Sequence, residues 1–226
     1  TTGVELDGAT LTVLDKDGDE IDKWTSVKGE PHIIKRLHVG ETYTLREEFA
    51  PYGYLKAEEV EFTITDTAEI QKVEMKDDVP IGRIIINKKG EFLSEVTWNE
   101  MVAGAMDSIW DYVTGSLKDV TFEIYAREDV KAADGESDDY YKKDELVATI
   151  TTDELGFARS DDLPLGKYYV VEKETANGFV LDGEPRDIDL TYRDQDTPVV
   201  TYDSEWQNSR QKAKVIVTKK EKDSDR

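Results

Sequence analysis

Four residues sit where their chemistry would matter. Glu47 lies in Tyr43-Thr-Leu45-Arg-Glu47-Glu-Phe-Ala-Pro51-Tyr-Gly53-Tyr54, and Glu172 in Tyr168-Tyr-Val170-Val-Glu172-Lys-Glu-Thr-Ala-Asn-Gly178-Phe179. In an extended chain, alternate side chains share a face, so Glu47 joins Tyr43 and Leu45, and Glu172 joins Tyr168 and Val170. The apolar face is the buried one, and a carboxylate there is costly unless it stays neutral or finds a partner. By the same parity Lys88 lies with Ile84 and Ile86, and Asn208 with Trp206. A buried lysine tends to lose its charge, and a neutral amine is a nucleophile. A buried glutamate keeps its proton and can polarise an amide carbonyl. An asparagine on a neighbouring strand, about 4.8 Å away, is then the electrophile. The product expected is a Lys88–Asn208 isopeptide bond, with loss of ammonia. Any one of these residues alone is better explained as a snorkelling or surface group. Three matching parities in one repeated frame favour the bond.

The elements that must place these residues are short strands and turns. In residues 1–80, Ala9 to Val13, Ile21 to Thr25, His32 to Leu37, Tyr43 to Glu47, Val60 to Ile64 and Val73 to Asp77 read as strands. Asp15-Lys-Asp17-Gly18 supplies a hairpin turn. Asp15, Asp17 and Asp19 resemble a calcium loop only superficially, because its sixth position, which wants glycine, is Glu20. His32 and His38 have no ligand cluster around them, so no metal site is expected.

Residues 81–211 repeat this order after an opening strand, Arg83-Ile84-Ile-Ile86-Asn-Lys88. Leu6 to Val13 matches Leu117 to Ile124, and Leu37-His-Val39-Gly40 matches Leu163-Pro-Leu165-Gly166. Two segments interrupt the repeat. Asp129 to Lys143 reads as an exposed acidic loop. Residues 97–113 predict a helix: Thr97-Trp-Asn-Glu100 has the form of a capping box, and Trp98, Met101, Val102, Ala105, Ile109, Tyr112 and Val113 form a stripe. In residues 212–226, Ala213-Lys-Val215-Ile-Val217-Thr-Lys219 copies the opening strand. The expectation is a fragment of a tandem array, cut out of phase with its repeats, with an unfilled strand position in the first unit.

Composition narrows the function classes. The 226 residues carry a net charge of −22 and no cysteine. Phosphate binding needs a basic face, so nucleic acid is excluded as a partner. Disulfides and thiol chemistry are excluded too. No apolar run is long enough to cross a membrane, and nothing calls for a cofactor.

The motif Tyr-x-Leu-x-Glu-x-x-Ala-Pro-x-Gly-Tyr from Tyr43 to Tyr54 resembles the hallmark of Cna B-type domains of Gram-positive surface adhesins and pilins. The second copy departs from it, with Thr175 and Ala176 where Ala-Pro would stand and Phe179 in place of the last tyrosine. The resemblance implies an all-β chain of tandem prealbumin-like, inverse immunoglobulin-type β-sandwiches, with the helix as an addition to the usual pattern. It implies self-formed Lys–Asn or Lys–Asp cross-links assisted by glutamate, on a cell-wall-anchored protein outside the cell. Lys88, Glu172 and Asn208 match those roles. In the first unit Glu47 and Asp77 match, and the lysine strand is absent. The function expected is a stalk segment, not an enzyme beyond this single self-reaction. The alternative is a module recognising a host matrix protein or glycan through the helix or the acidic loop. Partners expected are neighbouring repeats, including head-to-tail strand exchange in which Lys219 meets Asp77.

Overall fold

A computed structural model describes residues 5–100 and 106–219, with thirteen strands and, among the described residues, no helix. The N-terminal four strands form one antiparallel sheet in the order β2-β1-β3-β4: β1 Thr10–Leu14, β2 Glu20–Thr25, β3 Thr42–Phe49 and β4 Val60–Thr63. The Asp15 turn joins β1 to β2, with the Asp15 carboxylate accepting the backbone N–H groups of Asp17 and Asp19.

The remaining strands form two facing sheets. One has the order β12-β11-β7-β8, from β7 Thr121–Ala126, β8 Leu146–Thr151, β11 Gly166–Glu174 and β12 Arg186–Leu190. It is the N-terminal sheet over again, strand for strand. The copies agree in register. Val13 faces Leu45 and Leu11 faces Glu47, just as Ile124 faces Val170 and Phe122 faces Glu172. Each ladder slips by one residue immediately beyond its glutamate, between Thr10 and Leu11 and between Glu172 and Glu174. The same local irregularity occurring twice marks a shared fold, not a shared composition.

The other C-terminal sheet is built on β5 Ile81–Glu100, which pairs in parallel with β13 Val199–Asn208. Short strands β9 Phe157–Arg159 and β10 Leu163–Pro164 pair antiparallel with β5. Between the two sheets lies one continuous core that includes Ile84, Ile86, Phe122, Ile124, Tyr168, Val170, Leu190 and Trp206. The N-terminal unit has no counterpart of β5 among the described residues. Its segments 32–37 and 73–77, expected as strands, accordingly join no ladder. A strand needs a neighbour to take its backbone hydrogen bonds, and here none is present.

The helix expected at 97–113 is not there. β5 runs on to Glu100 and turns back as β6 Met106–Ser116, a two-stranded ribbon. Met101, Val102 and Ala105 fall outside the described residues. The apolar spacing that suggested a helix also fits a ribbon, because Val96 lies opposite Trp110 and Leu93 opposite Tyr112. Aromatic and aliphatic cross-strand pairs of this kind stabilise sheets, and Val96, Thr97, Ile109 and Val113 are β-branched. Thr97 to Glu100, read as a cap, lies inside the strand. The acidic stretch 129–143 is a loop, closed by a single bridge between Val130 and Tyr141.

The two units touch through the turn of the first motif. The Tyr192 hydroxyl donates to the Tyr54 carbonyl at 3.0 Å, and Tyr52 packs edge-on to Tyr192. The Gln195 side chain accepts from the Ala50 N–H at 2.9 Å, and its carbonyl accepts from the Lys56 N–H.

Candidate functional site

The structure brings Lys88, Glu172 and Asn208 together in the core of the C-terminal unit, at 0%, 1% and 1% exposure. Lys88 and Asn208 stand on β5 and β13, neighbours in one sheet, and Glu172 stands on β11 in the other. The three therefore bridge the sandwich. Strict alternation puts them there: Ile84, Ile86 and Lys88 are all buried while the residues between them are half-exposed.

The Lys88 Nζ donates to Glu172 Oε2 at 2.5 Å and to Asn208 Oδ1 at 2.7 Å. The Asn208 amide nitrogen donates to the other Glu172 oxygen and to the Thr175 hydroxyl, the latter at 2.8 Å. Glu172 thus touches both the amine and the amide nitrogen, whereas the expectation had it polarising the carbonyl. The carbonyl oxygen instead faces the lysine. Phe122 and Trp206, edge to face, close the sides, with Nζ 5.5 Å and 5.8 Å from their ring centres. Burial pushes the Lys88 pKa down, against the opposing pull of the Glu172 carboxylate. Burial of all three side chains favours proton exchange within the triad over exchange with bulk solvent.

The backbone of Lys88 is held as firmly as its side chain. Its N–H donates to the Gly156 carbonyl at 2.6 Å, and its carbonyl accepts from the Leu117 N–H at 2.9 Å. Gly156 has φ +72°, and a Cβ there would lie 2.3 Å from the Lys88 carbonyl oxygen. Only glycine fits. Beyond the site, Phe179 bridges Arg210, and the Gln211 N–H donates to the Gly178 carbonyl, pinning the chain where it leaves the sandwich.

Thr175 and Arg186 escaped the sequence reading. Arg186 covers Trp206, 3.9 Å from the ring centre, and pairs with Asp182 at 2.7 Å. Nothing in the sequence announces Arg186. Thr175 had a signal, since it stands where the motif otherwise has alanine.

The N-terminal unit assembles half of this arrangement. Glu47 is buried at the matching place, and its Oε2 accepts the Ala57 N–H at 2.7 Å. Asp77 faces it. Burial first, then the Glu47 charge, pushes the Asp77 pKa up to about 7. Burial also raises that of Glu47. The two carboxyls share a hydrogen bond, and Glu47 Oε1 and Asp77 Oδ2 are buried with no other partner. No cation lies within ion-pair distance of either among the described residues. Lys219 is exposed and makes no contact with Asp77.

A twin sheet with a glutamate at matched positions, backed in one copy by a second sheet, defines a prealbumin-like domain. The chain belongs to the SpaA prealbumin-like fold domain family, whose profile matches residues 1–79 and 110–206. Those two blocks hold both glutamate motifs and pass over β5. Among solved structures, the Bacillus anthracis TIE protein is similar at 20% identity and a TM-score of 0.52, over 92% of this chain and 32% of that one. The chain therefore spans about a third of that protein's length. GBS52, the minor pilin of Streptococcus agalactiae, matches at 14% identity over 96% of this chain and 88% of its own, with a TM-score of 0.38. The shaft pilin SpaA of Lactobacillus rhamnosus GG, in an E269A/D295N double mutant, matches at 12% identity over 93% and 90%, TM-score 0.34. No curated protein matches the sequence.

Proposed function

We propose that the chain is a load-bearing stalk segment of a Gram-positive surface adhesin or pilin, locked by a self-formed bond between Lys88 and Asn208. The observation that carries this reading is the fully buried triad, with the lysine Nζ 2.7 Å from the asparagine carbonyl oxygen and 2.5 Å from Glu172. Glu172 takes a proton from the Lys88 ammonium. The neutral amine attacks Asn208 Cγ to give a tetrahedral centre. Glu172 then delivers that proton to Nδ2 and takes up the second proton of the attacking nitrogen; the C–N bond breaks, and ammonia leaves, carrying that second proton away as ammonium. Glu172 is regenerated, so the reaction occurs once per molecule and needs no cofactor. The Thr175 hydroxyl holds Nδ2 on the glutamate side.

Position explains the use of such a bond. β5 and β13 run side by side from the contact between the units to the far end, so Lys88 on the first strand and Asn208 at the end of the last one meet at that far end, where the chain leaves the sandwich. Tension applied at the two ends passes from Lys88 straight to Asn208 and bypasses the intervening core. The bond closes a loop of 120 residues, which the chain-entropy model values at roughly 5 kcal/mol. It does the work of a disulfide in a chain without cysteine.

The intact mass tests the reading directly. The chain should weigh one ammonia less than its sequence, and Glu172→Ala should restore the full mass. A full-mass wild-type chain would sink the proposal. A second reading, a module binding host matrix protein or glycan, is favoured by the ribbon, where Trp98, Trp110 and Tyr112 are 62%, 52% and 40% exposed. Binding of matrix proteins or glycans that is lost in Trp98→Ala/Trp110→Ala would establish it.

A further inference from the structure

We propose that the C-terminal unit carries a receptor for the Ala50–Tyr54 turn of the N-terminal unit, and that this contact locks the two units into one rigid body. The receptor is built from two loops, residues 192–197 and residues 129–143. What it takes is the tyrosine-ended turn of a prealbumin-like unit, read mainly through its backbone. Neither the stalk reading nor the Lys88 bond is needed for it.

Loop 192–197 grips both limbs of the turn. The Gln195 side-chain oxygen accepts the Ala50 N–H at 2.9 Å, and its amide nitrogen donates to the Glu48 carbonyl at 3.3 Å. The Gln195 main-chain carbonyl accepts the Lys56 N–H at 3.0 Å. The Tyr192 hydroxyl donates to the Tyr54 carbonyl at 3.0 Å, and its ring meets that of Tyr52 at 4.8 Å. The loop is shaped by its own bonds. The Asp194 carboxylate accepts the Asp196 N–H and the Thr197 hydroxyl, with Gln195 held between them.

Loop 129–143 supplies the second arm. The N-terminal unit has only a tight turn at this place, where the Asp19 carbonyl accepts the Asp15 N–H between β1 and β2. Ala133 lies 3.6 Å from where a Cβ on Gly53 would stand. Lys28 Nζ pairs with Glu136 at 2.5 Å. Burial first, then the nearby Asp134 carboxylate, raises the Tyr54 pKa. The Asp134 carboxylate also accepts the N–H groups of Glu136 and Ser137 and the Ser137 hydroxyl, which fixes the loop's tip.

Domains joined in one chain reorient by default unless an interface holds them. Here the linker leaves little freedom. The Leu55 N–H donates to the Asp78 carbonyl at 2.8 Å, and the Ile81 N–H to the Pro198 carbonyl at 3.0 Å. Val79 and Pro80 lie between these two anchors, and Pro80 is buried with its φ fixed by its ring.

The second copy of the turn shows what the receptor selects. In the place of Tyr54, Phe179 turns inward and meets Phe92 at 5.4 Å. Nothing among the described residues lies within 4 Å of a Cβ on Gly178. Tyr54, by contrast, is 9% exposed and meets both loops.

Residual dipolar couplings and amide exchange on the full chain test the inference. One alignment should fit both units in the wild type, with the Ala50 and Lys56 N–H groups protected. In Tyr192→Ala/Gln195→Ala the single alignment should be lost while each unit still fits its own. Both amides should then exchange at least about tenfold faster. Gln195→Ala alone should give the same change in smaller degree. Lys28→Glu/Ala133→Asp, which sets carboxylates against Glu136 and the turn, should also break the single alignment. Two alignments in the wild type would overturn the proposal. A single alignment kept in Tyr192→Ala/Gln195→Ala would overturn the part given to loop 192–197. One kept in Lys28→Glu/Ala133→Asp would overturn the part given to loop 129–143. Loss of ammonia reports the Lys88 bond separately, so the two proposals fail independently.

Discussion

The two units share a sheet, a register and a glutamate, yet their centres differ. In the C-terminal unit Glu172 meets a lysine and an amide, and every polar atom of the triad has a partner. In the N-terminal unit Glu47 meets another carboxyl. The strand bearing the lysine also supplies half of the sandwich. Among the described residues, eighteen apolar residues are buried in one cluster where β5 is present; where no such strand is described, Val13, Tyr43 and Leu45 are the fully buried members of theirs. One strand thus decides both the core and the chemistry.

Glutamate removal should separate the units most sharply. Glu172→Ala should strand the Lys88 charge in the core and prevent the proposed link, a loss of roughly 5 kcal/mol or more for the C-terminal unit. Glu47→Ala removes a group with no cation within ion-pair distance among the described residues and should cost the N-terminal unit less than about 1 kcal/mol. Calorimetry resolving two transitions would check this, and equal losses would break the comparison.

Next in size is Gly156→Ala. Its Cβ would collide with the Lys88 carbonyl in a backbone conformation that side chains rarely adopt. A cost of about 1–3 kcal/mol should fall on the C-terminal unit alone, with slower loss of ammonia by mass.

The pH dependence should fall on the other unit. The Asp77 pKa is raised to about 7 from an ordinary value of 3.8, so the folded state holds this proton more tightly than the unfolded one. Protonation therefore favours folding. The contribution is complete below the ordinary value and is lost as pH rises through about 7. The N-terminal transition should move to lower temperature between pH 4 and pH 8, and Asp77→Asn should flatten that profile.

The smallest effect expected is at Thr175. Thr175→Val removes one hydrogen bond to the leaving nitrogen and should slow cross-linking about threefold to tenfold, with Thr175→Ser restoring the rate. Unchanged kinetics in Thr175→Val would leave the amide nitrogen held by Glu172 and the amide oxygen by Lys88.

Much of the site was legible because strand parity is a local property. Once Ile84, Ile86 and Lys88 alternate, the lysine must share their face, whatever the fold. The ribbon was not legible. Trp98, Ile109, Tyr112 and Val113 satisfy a helical stripe and an alternating one equally, and the choice was made by cross-strand pairing of Val96 with Trp110 and Leu93 with Tyr112. Segments 32–37 and 73–77 failed as strands for the converse reason. Their patterns are extended, but a ladder also needs a neighbour.

The sequence by itself determined which face each of Glu47, Glu172, Lys88 and Asn208 occupies, and the twofold repeat that orders them. Tertiary structure alone decided that Lys88, Glu172 and Asn208 meet, that the amide turns its nitrogen to Glu172 and Thr175, and that Glu47 and Asp77 face each other. Parity assigns a residue to a face through backbone geometry that each residue carries with it. Which residues then touch depends on the pairing and stacking of strands far apart in the chain, and those contacts exist only once the sheets have closed.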